Sequence, residues 1–239
     1  MDEQIGILLD RLRSKPELWE KTAVLIVADH GEGLNQHGYQ QHGGTWNEQV
    51  HVPLIMRVPG GRMKMPARDS TLLGMSDVMP TFLARMGATW GKPLVQQASG
   101  TDVMAAGFKT RPVLSQKTGR DCPNLPSAPF VWTDWPWRLH RDPKGGDKLF
   151  NLQSDPHELK NVLSENGELG KRLRFDLQRR IDLLKRRGAE LRAKAPPASG
   201  PADAKRDAEL EALGYVGGSD EEEPEDRPHS RPTSGSANP

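Results

Sequence analysis

The stretch VLIVADHGEGLNQHG, residues 24–38, decides the fold. Its apolar run ends at Ala28, and a carboxylate and an imidazole, Asp29 and His30, follow at once. Such a run between polar residues is typical of a strand covered on both faces in a parallel sheet. Ligands of open α/β sheets bind beyond the carboxyl ends of their strands. The sequence therefore places Asp29 and His30 where a functional site is expected.

Asp29 and His30 offer the two donor types that divalent metals accept, a hard oxygen and a neutral nitrogen. Ca²⁺, Mg²⁺, Mn²⁺ and Zn²⁺ all bind one or both of them. Two donors do not complete a site. The pair is equally explained if Asp29 caps the next turn and His30 is a hydrogen-bonded histidine. Both interpretations stay open on the residues alone.

Four of the seven histidines lie between His30 and His51. The loop after His30 contains enough glycine to fold back over the strand end, which would bring His37 and His42 near Asp29. A polar surface role is the alternative for each of these two histidines. His51 directly precedes the next apolar run, where positioning is a better explanation than catalysis.

Further elements of the first half follow from periodicity. Apolar residues at helical spacing predict a helix over 5–12, and the apolar run of 51–60 predicts a neighbouring strand. A third pattern predicts a helix with Ser76 or Asp77 as its N-cap and with Pro80 in its first turn. Helices alternating with strands favour an α/β protein.

The second half has a different pattern. Short strand-like runs joined by Gly- and Pro-rich segments between 91 and 152 predict a small antiparallel sheet. One apolar face then predicts the longest helix: Leu169, Leu173, Leu177, Ile181 and Leu184. Basic residues of this helix are interleaved with acidic ones, which favours a solvated face over a nucleic-acid surface. Trp132, Trp135 and Trp137 either pack the small sheet or stack on a sugar.

Composition limits the partners. Lys and Arg total 33 against 32 Asp and Glu, so the net charge of +1 gives no general attraction to nucleic acid or to an anionic membrane. A single cysteine, Cys122, excludes an intramolecular disulfide and a cysteine-built zinc site. No apolar run approaches the roughly 18 residues of a membrane span. We expect no nucleic acid among the partners and no membrane span.

Five segments in order resemble the sulfatase family of the alkaline phosphatase superfamily: VLIVADHGEGLNQHG, HGGTWNEQVHVPLIMRVPG, SDVMPTFLARMGA, KLFNLQSDPHELKNVL and LEALGYVGG. The resemblance implies an α/β, alkaline-phosphatase-like fold. A partial main sheet would be joined by a small C-terminal antiparallel sheet packed with a helix. We expect residues 1–108 to be the C-terminal portion of the catalytic domain and 109–194 to be a small subdomain. Residues 195–239, with LEALGYVGG, would be a mostly disordered acidic and Pro-rich tail.

The resemblance also implies roles for site residues. Asp29 and His30 match two ligands of the family's divalent metal, usually calcium. His42 falls where sulfatases carry a lysine or histidine that contacts the sulfate or the leaving-group oxygen. His37 matches the histidine of an Glu-His-Gly segment, although Gln36 replaces the glutamate. His42 and His37 are therefore the candidate catalytic residues, and a sulfate ester or sulfated sugar is the implied substrate.

Part of the family's chemistry is not found in the sequence. The nucleophile is a formylglycine made within C/S-x-P-x-R, and Cys122 does not match this pattern because no arginine follows it at the required position. We expect the formylglycine and the remaining metal ligands upstream of Met1, in a parent protein that resembles periplasmic or secreted enzymes. The alternatives are a phosphate or phosphonate ester hydrolase of the same superfamily, or a noncatalytic remnant that serves as an interaction module.

An α/β sheet without its first strands would expose apolar edges. We therefore predict that the isolated 239-residue chain is poorly soluble or partly molten and does not hydrolyse sulfate esters. Expression, thermal melting and an aryl sulfate assay check this. Good solubility, a sharp two-state melt and turnover would together contradict it.

Overall fold

The structure is a computed structural model that describes residues 1–59, 68–87, 100–116, 129–142 and 145–194. The predictions for Cys122 and for the tail at 195–239 lie outside these residues.

The first half places two strands among short helices. The elements in chain order are α1 (Asp2–Arg13), α2 (Pro16–Trp19), β1 (Val24–Val27), α3 (Asn47–Val50), β2 (Leu54–Arg57) and α4 (Met75–Arg85). The predicted helix before β1 and the predicted neighbouring strand β2 are confirmed. β1 and β2 are antiparallel, with Val24 opposite Arg57 and Val27 opposite Leu54.

The expectation of a parallel, doubly covered strand is wrong for this pair. All four residues of β1 are half-buried, and β2 is its partner within the described residues. An apolar run reports that a strand buries its faces, but it carries no information on the direction of the neighbouring strand. Here the segment between the strands reverses the chain without the long crossover helix that a parallel neighbour usually requires.

The start of α4 also differs from the prediction. Its N-cap is Gly74 instead of Ser76 or Asp77, and the Asp77 carboxylate accepts the Gly74 N–H at 2.9 Å. Pro80 therefore lies in the second turn, where its missing N–H leaves the carbonyl oxygen of Ser76 without a helical donor. Gly100 packs against that oxygen so closely that a Cβ at this position would lie 1.8 Å away. The close approach requires glycine at position 100.

The second half forms a four-stranded antiparallel meander covered by one long helix. Its elements are β3 (Val113–Gln116), β4 (Phe130–Asp134), β5 (Trp137–Arg141), β6 (Lys148–Asn151), a short 3-10 helix (Ser164–Asn166) and α5 (Gly167–Lys194). The predicted small sheet and longest helix are confirmed. β5 was missed because its residues were interpreted as part of a tryptophan cluster. Among the described helices, α5 included, none has the length and apolarity that a bilayer span requires.

The core lies between α5 and the meander. Leu173 and Leu177 of α5 and Leu139 and Leu149 of the sheet are completely buried. Truncating such a leucine to alanine costs about 2–5 kcal/mol. This packing confirms the predicted apolar face of the helix.

Two of the three clustered tryptophans serve packing. Trp132 belongs to the buried core and Trp137 packs against it, which confirms the packing explanation for both. Trp135 is 56% exposed in the turn between β4 and β5.

Candidate functional site

Asp29 and His30 follow the carboxyl end of β1, and both side chains are exposed. The Asp29 Oδ1 atom accepts the backbone N–H of His30 at 3.0 Å. This hydrogen bond, supported by the Asp29 backbone and the nearby His30 ring, holds the pKa of Asp29 below its ordinary value of 3.8. Asp29 therefore presents an ionised carboxylate to solvent at neutral pH.

Gly31, which follows the Asp-His pair, packs so closely against neighbouring backbone that no side chain fits at this position. Its N–H donates to the carbonyl of Gln49 at 2.8 Å, and a Cβ on Gly31 would lie 2.0 Å from the carbonyl oxygen of Glu48. A Cβ on Gly33 would lie 2.4 Å from the carbonyl oxygen of Tyr39. The backbone of the loop therefore packs directly on these glycines, and the loop folds back over the strand end.

This loop places His42 beside His30 at the carboxyl end of β1. Its ring centroid lies 4.3 Å from that of His30, and its Nδ1 atom lies 3.0 Å from Glu32 Oε1. His30, Glu32 and His42 each offer one ligand atom, and the three atoms lie within 4.8 Å of one another. Glu32 was not a predicted site residue, although its position two residues after His30 was a signal that could have identified it.

His37, which was predicted to lie near Asp29, contacts Glu48 and Trp46. Its Nδ1 atom lies 2.8 Å from Glu48 Oε1, and its ring stacks on Trp46 at a centroid distance of 3.8 Å. The side chain is only 13% exposed. Its Nε2 atom is buried and has no hydrogen-bond partner within the described part of the chain. The loop thus brings His42 to His30 and turns His37 toward α3.

A buried carboxylate, Glu158, fixes the loop to the C-terminal sheet. Its Oε2 atom accepts the backbone N–H of Asn47 at 2.7 Å. Its Oε1 atom lies 2.7 Å from His140 Nε2 and 3.1 Å from Arg138 Nε. Arg138 in turn donates to the carbonyl oxygen of Thr45 at 2.6 Å. We call these five residues the Glu158 clamp.

Trp46 lies in the segment that the Glu158 clamp holds. Its ring stacks on His37 and lies 4.6 Å from the ring of His140 and 5.8 Å from that of Phe150. The aromatic contacts therefore continue from the site loop into the core of the second half. Glu158 and His140 were not among the predicted residues. The segment after β6 forms a turn in which the Asp155 carboxylate accepts the N–H groups of Leu159 and Lys160.

The electrostatics of the Glu158 clamp are set by burial. Burial lowers the pKa of His140 below its ordinary value of 6.5 and outweighs the hydrogen bond to Glu158. Burial alone would raise the pKa of Glu158, but the hydrogen bond from His140 and the charge of Arg138 lower it below its ordinary value of 4.5. Burial also lowers the pKa of Arg138, although arginine remains a cation. At neutral pH the clamp holds an anion, a cation and a neutral imidazole.

Asp29 and His30 fit one divalent ion. Asp29 Oδ2 lies 3.8 Å from His30 Nε2. One ion can contact both atoms, because metal–oxygen and metal–nitrogen bonds together span roughly 4.3 Å or more. His30 Nδ1 lies 2.9 Å from the carbonyl oxygen of Gly31, so a proton on Nδ1 leaves the Nε2 lone pair free for a metal.

Comparison with known proteins agrees with this fold. The family model described as Sulfatase matches residues 1–88. Mouse arylsulfatase K is 28% identical over 179 residues, which are 70% of this chain and 31% of that protein. Delta 4,5-hexuronate-2-O-sulfatase of Bacteroides thetaiotaomicron is 25% identical over 185 residues, 69% of this chain and 35% of that protein. The solved structure of the sulfatase candidate yidJ from Bacteroides fragilis superposes with a TM-score of 0.63 at 20% identity, over 76% of this chain and 40% of that one.

The fold is alkaline-phosphatase-like, as the sequence predicted. The matched family model and the curated relatives are sulfatases, so the chain is similar to sulfatases over about 70% of its length. It spans about a third of the length of the curated relatives that it matches.

The first prediction from this site concerns the Glu158 clamp. Glu158→Gln removes the buried negative charge and leaves Arg138 without its counter-ion, so we expect a loss of about 3–5 kcal/mol in the free energy of unfolding. Urea unfolding of the full natural protein, followed by tryptophan fluorescence, measures this. The matched control is Glu165→Gln, since Glu165 is exposed and pairs with Lys160 at the surface. Equal stabilities of the two variants would contradict the role of Glu158.

The second prediction concerns pH. The unfolded chain protonates His140 near pH 6.5, whereas the folded protein resists that proton, so the free energy of unfolding falls as the pH drops below about 6.5. Protonation of the Glu158 carboxylate lowers the free energy of unfolding further, but only below about pH 4.5. We expect His140→Gln to flatten the stability profile between pH 7 and pH 5. The exposed His157, changed to Gln, is the control, and an unchanged slope in His140→Gln would refute the assignment.

Proposed function

We propose that the chain is the C-terminal part of a sulfuric ester hydrolase that cleaves sulfate esters with the help of a divalent metal. One observation carries this proposal: Asp29, His30 and His42 meet at the carboxyl end of β1, although a loop of more than ten residues separates His42 from the other two. The match to the Sulfatase family model and the similarity to arylsulfatase K support the reaction class.

Asp29 and His30 are the proposed metal ligands. The ionised Asp29 carboxylate supplies a hard oxygen, and the Nε2 atom of His30 supplies a nitrogen at a compatible distance. When bound, the ion would neutralise a sulfate oxygen and help to orient the nucleophile. Calcium is the ion of the proposal because the family resemblance implies it and because Asp29 is a hard donor.

His42 is the proposed catalytic residue. Its ring is about half exposed, and the contact of Nδ1 with Glu32 orients the ring and leaves Nε2 directed elsewhere. An imidazole placed in this way can donate a proton to the leaving-group oxygen as the S–O bond breaks.

His37 is the second proposed site residue. Because its Nε2 atom is buried, direct contact with a substrate requires the ring to be uncovered. Its stacking on Trp46 and its contact with Glu48 support a role in holding the loop that carries His42.

In this proposal the formylglycine nucleophile and the other metal ligands lie outside the 239 residues, since no C/S-x-P-x-R occurs in the sequence. The proposed substrate is a small sulfate ester or a sulfated sugar. The name of the relative delta 4,5-hexuronate-2-O-sulfatase supports the sugar.

We also propose that the chain divides into a portion of the catalytic domain at 1–108, a subdomain at 109–194 and a tail at 195–239. The separate two-stranded and four-stranded sheets support the first boundary. The tail lies outside the described residues.

Two alternatives remain testable. A phosphate or phosphonate ester hydrolase shares the Asp-His pair, and only the nucleophile and further metal ligands would distinguish it. For a noncatalytic interaction module, the basic helix α5 would have to bind an acidic partner. Against this, basic residues of α5 already pair with acidic ones, including Arg174 with Asp147 and Lys171 with Glu168.

The test uses the full natural protein, with the genomic sequence before Met1 included. We expect an in-frame C/S-x-P-x-R and turnover of an aryl sulfate in preference to an aryl phosphate. His42→Ala should lower kcat by about 10²–10⁴-fold, the usual contribution of a positioned proton donor.

The exposed His157, changed to Ala, is the matched control and should keep its activity. Preferential cleavage of the aryl phosphate would favour the first alternative. A His42→Ala variant with full activity would remove His42 from the mechanism.

A further inference from the structure

His30, Glu32 and His42 form a cluster that the proposed calcium site does not use as a whole. We call it the His-Glu-His cluster. Each residue offers one ligand atom, these atoms lie within 4.8 Å of one another, and all three side chains are exposed. An ion and its remaining water ligands can therefore reach the cluster from solvent.

The donor set selects a class of ion. Two imidazole nitrogens and one carboxylate oxygen are typical ligands of zinc and of its close relatives. Calcium instead takes six to eight oxygen ligands, which this cluster does not supply. The chemistry therefore favours a borderline ion over a hard one.

The spacing also suits such an ion. Glu32 Oε1 and His42 Nδ1 lie 3.0 Å apart, close to the roughly 3.3 Å that separates two ligands of a tetrahedral ion with bonds of about 2.0 Å. In the metal-free protein these two atoms are in hydrogen-bond contact, and an ion that binds between them replaces that contact. The ligand atom of His30 lies within 4.8 Å of those of Glu32 and His42.

The third ligand is held in advance. The contact of His30 Nδ1 with the Gly31 carbonyl directs the ring and leaves Nε2 for a metal. Gly31 is itself fixed, because its N–H binds the Gln49 carbonyl and the Glu48 backbone leaves no room for a side chain. A hydrogen bond from the ligand ring to a rigid carbonyl is the usual outer support of a histidine that binds zinc.

From this geometry we propose that the His-Glu-His cluster binds one divalent cation of the zinc class, Zn²⁺ or Co²⁺, without requiring Asp29. Because His30 also belongs to the proposed calcium site, the two ions would compete for it. The binding itself does not rest on the proposed hydrolase function.

The experiment titrates the full protein with Zn²⁺ by calorimetry and with Co²⁺ by visible absorption, which distinguishes tetrahedral from octahedral coordination. We expect one equivalent of Zn²⁺ to bind. Glu32→Gln and His42→Ala should each weaken Zn²⁺ binding at least tenfold. Asp29→Asn and the surface control Asp10→Asn should each change the Zn²⁺ affinity by no more than about threefold.

Calcium titration of the same variants separates this inference from the proposed function. Asp29→Asn should abolish Ca²⁺ binding, whereas Glu32→Gln should leave it unchanged. If Asp29→Asn abolishes Zn²⁺ binding while Glu32→Gln and His42→Ala do not, the ion belongs to the Asp29 site and the inference is overturned. It is also overturned if no Zn²⁺ binds at millimolar concentration.

A variant that loses its fold would be recognised by circular dichroism. In that case the proposal is tested with the histidine NMR signals of the unmodified protein. Zinc should shift the ring nitrogens of both His30 and His42, and a shift of His30 alone would overturn the proposal.

Discussion

The buried carboxylate of Glu158 is the interaction on which the rest of the structure depends. It joins Arg138 and His140 of β5 to the backbone of Asn47, so a single anion ties the C-terminal sheet to the loop of the first half. An ionised group without access to water is tolerated only when it is paired and fully hydrogen-bonded, and Glu158 has partners on both oxygens. The loop position is therefore specified by electrostatics as well as by packing.

This constraint determines how the candidate site is assembled. The segment at 45–47 is held by the Glu158 clamp, Trp46 within it supports His37, and the backbone of the following residues packs on Gly31. His30, Glu32 and His42, at the far side of the same loop, are exposed. A buried support behind exposed ligand atoms suits the binding of an ion and a charged substrate.

The two halves were not equally predictable. α5 was confirmed from the spacing of its leucines alone, because a helix that covers a sheet must present one apolar face. The small sheet was confirmed from its short apolar runs, apart from β5, whose residues were interpreted as part of a tryptophan cluster. The direction of β2 relative to β1 was wrong, since side-chain pattern does not encode strand direction. The predicted N-cap of α4 was wrong because Asp77 lies inside the helix, where its carboxylate accepts the N–H of the true N-cap, Gly74.

The sequence by itself determined that Asp29 and His30 follow a core strand and that the protein resembles the sulfatases. Both conclusions rest on local sequence: an apolar run that ends at polar residues, and the order of short motifs along the chain. Tertiary structure alone decided that His42 lies beside His30 and Glu32 while His37 turns toward Trp46 and Glu48. Those positions depend on contacts between residues far apart in the chain, above all on Glu158 binding a backbone N–H 111 residues away, and no local pattern records such a contact.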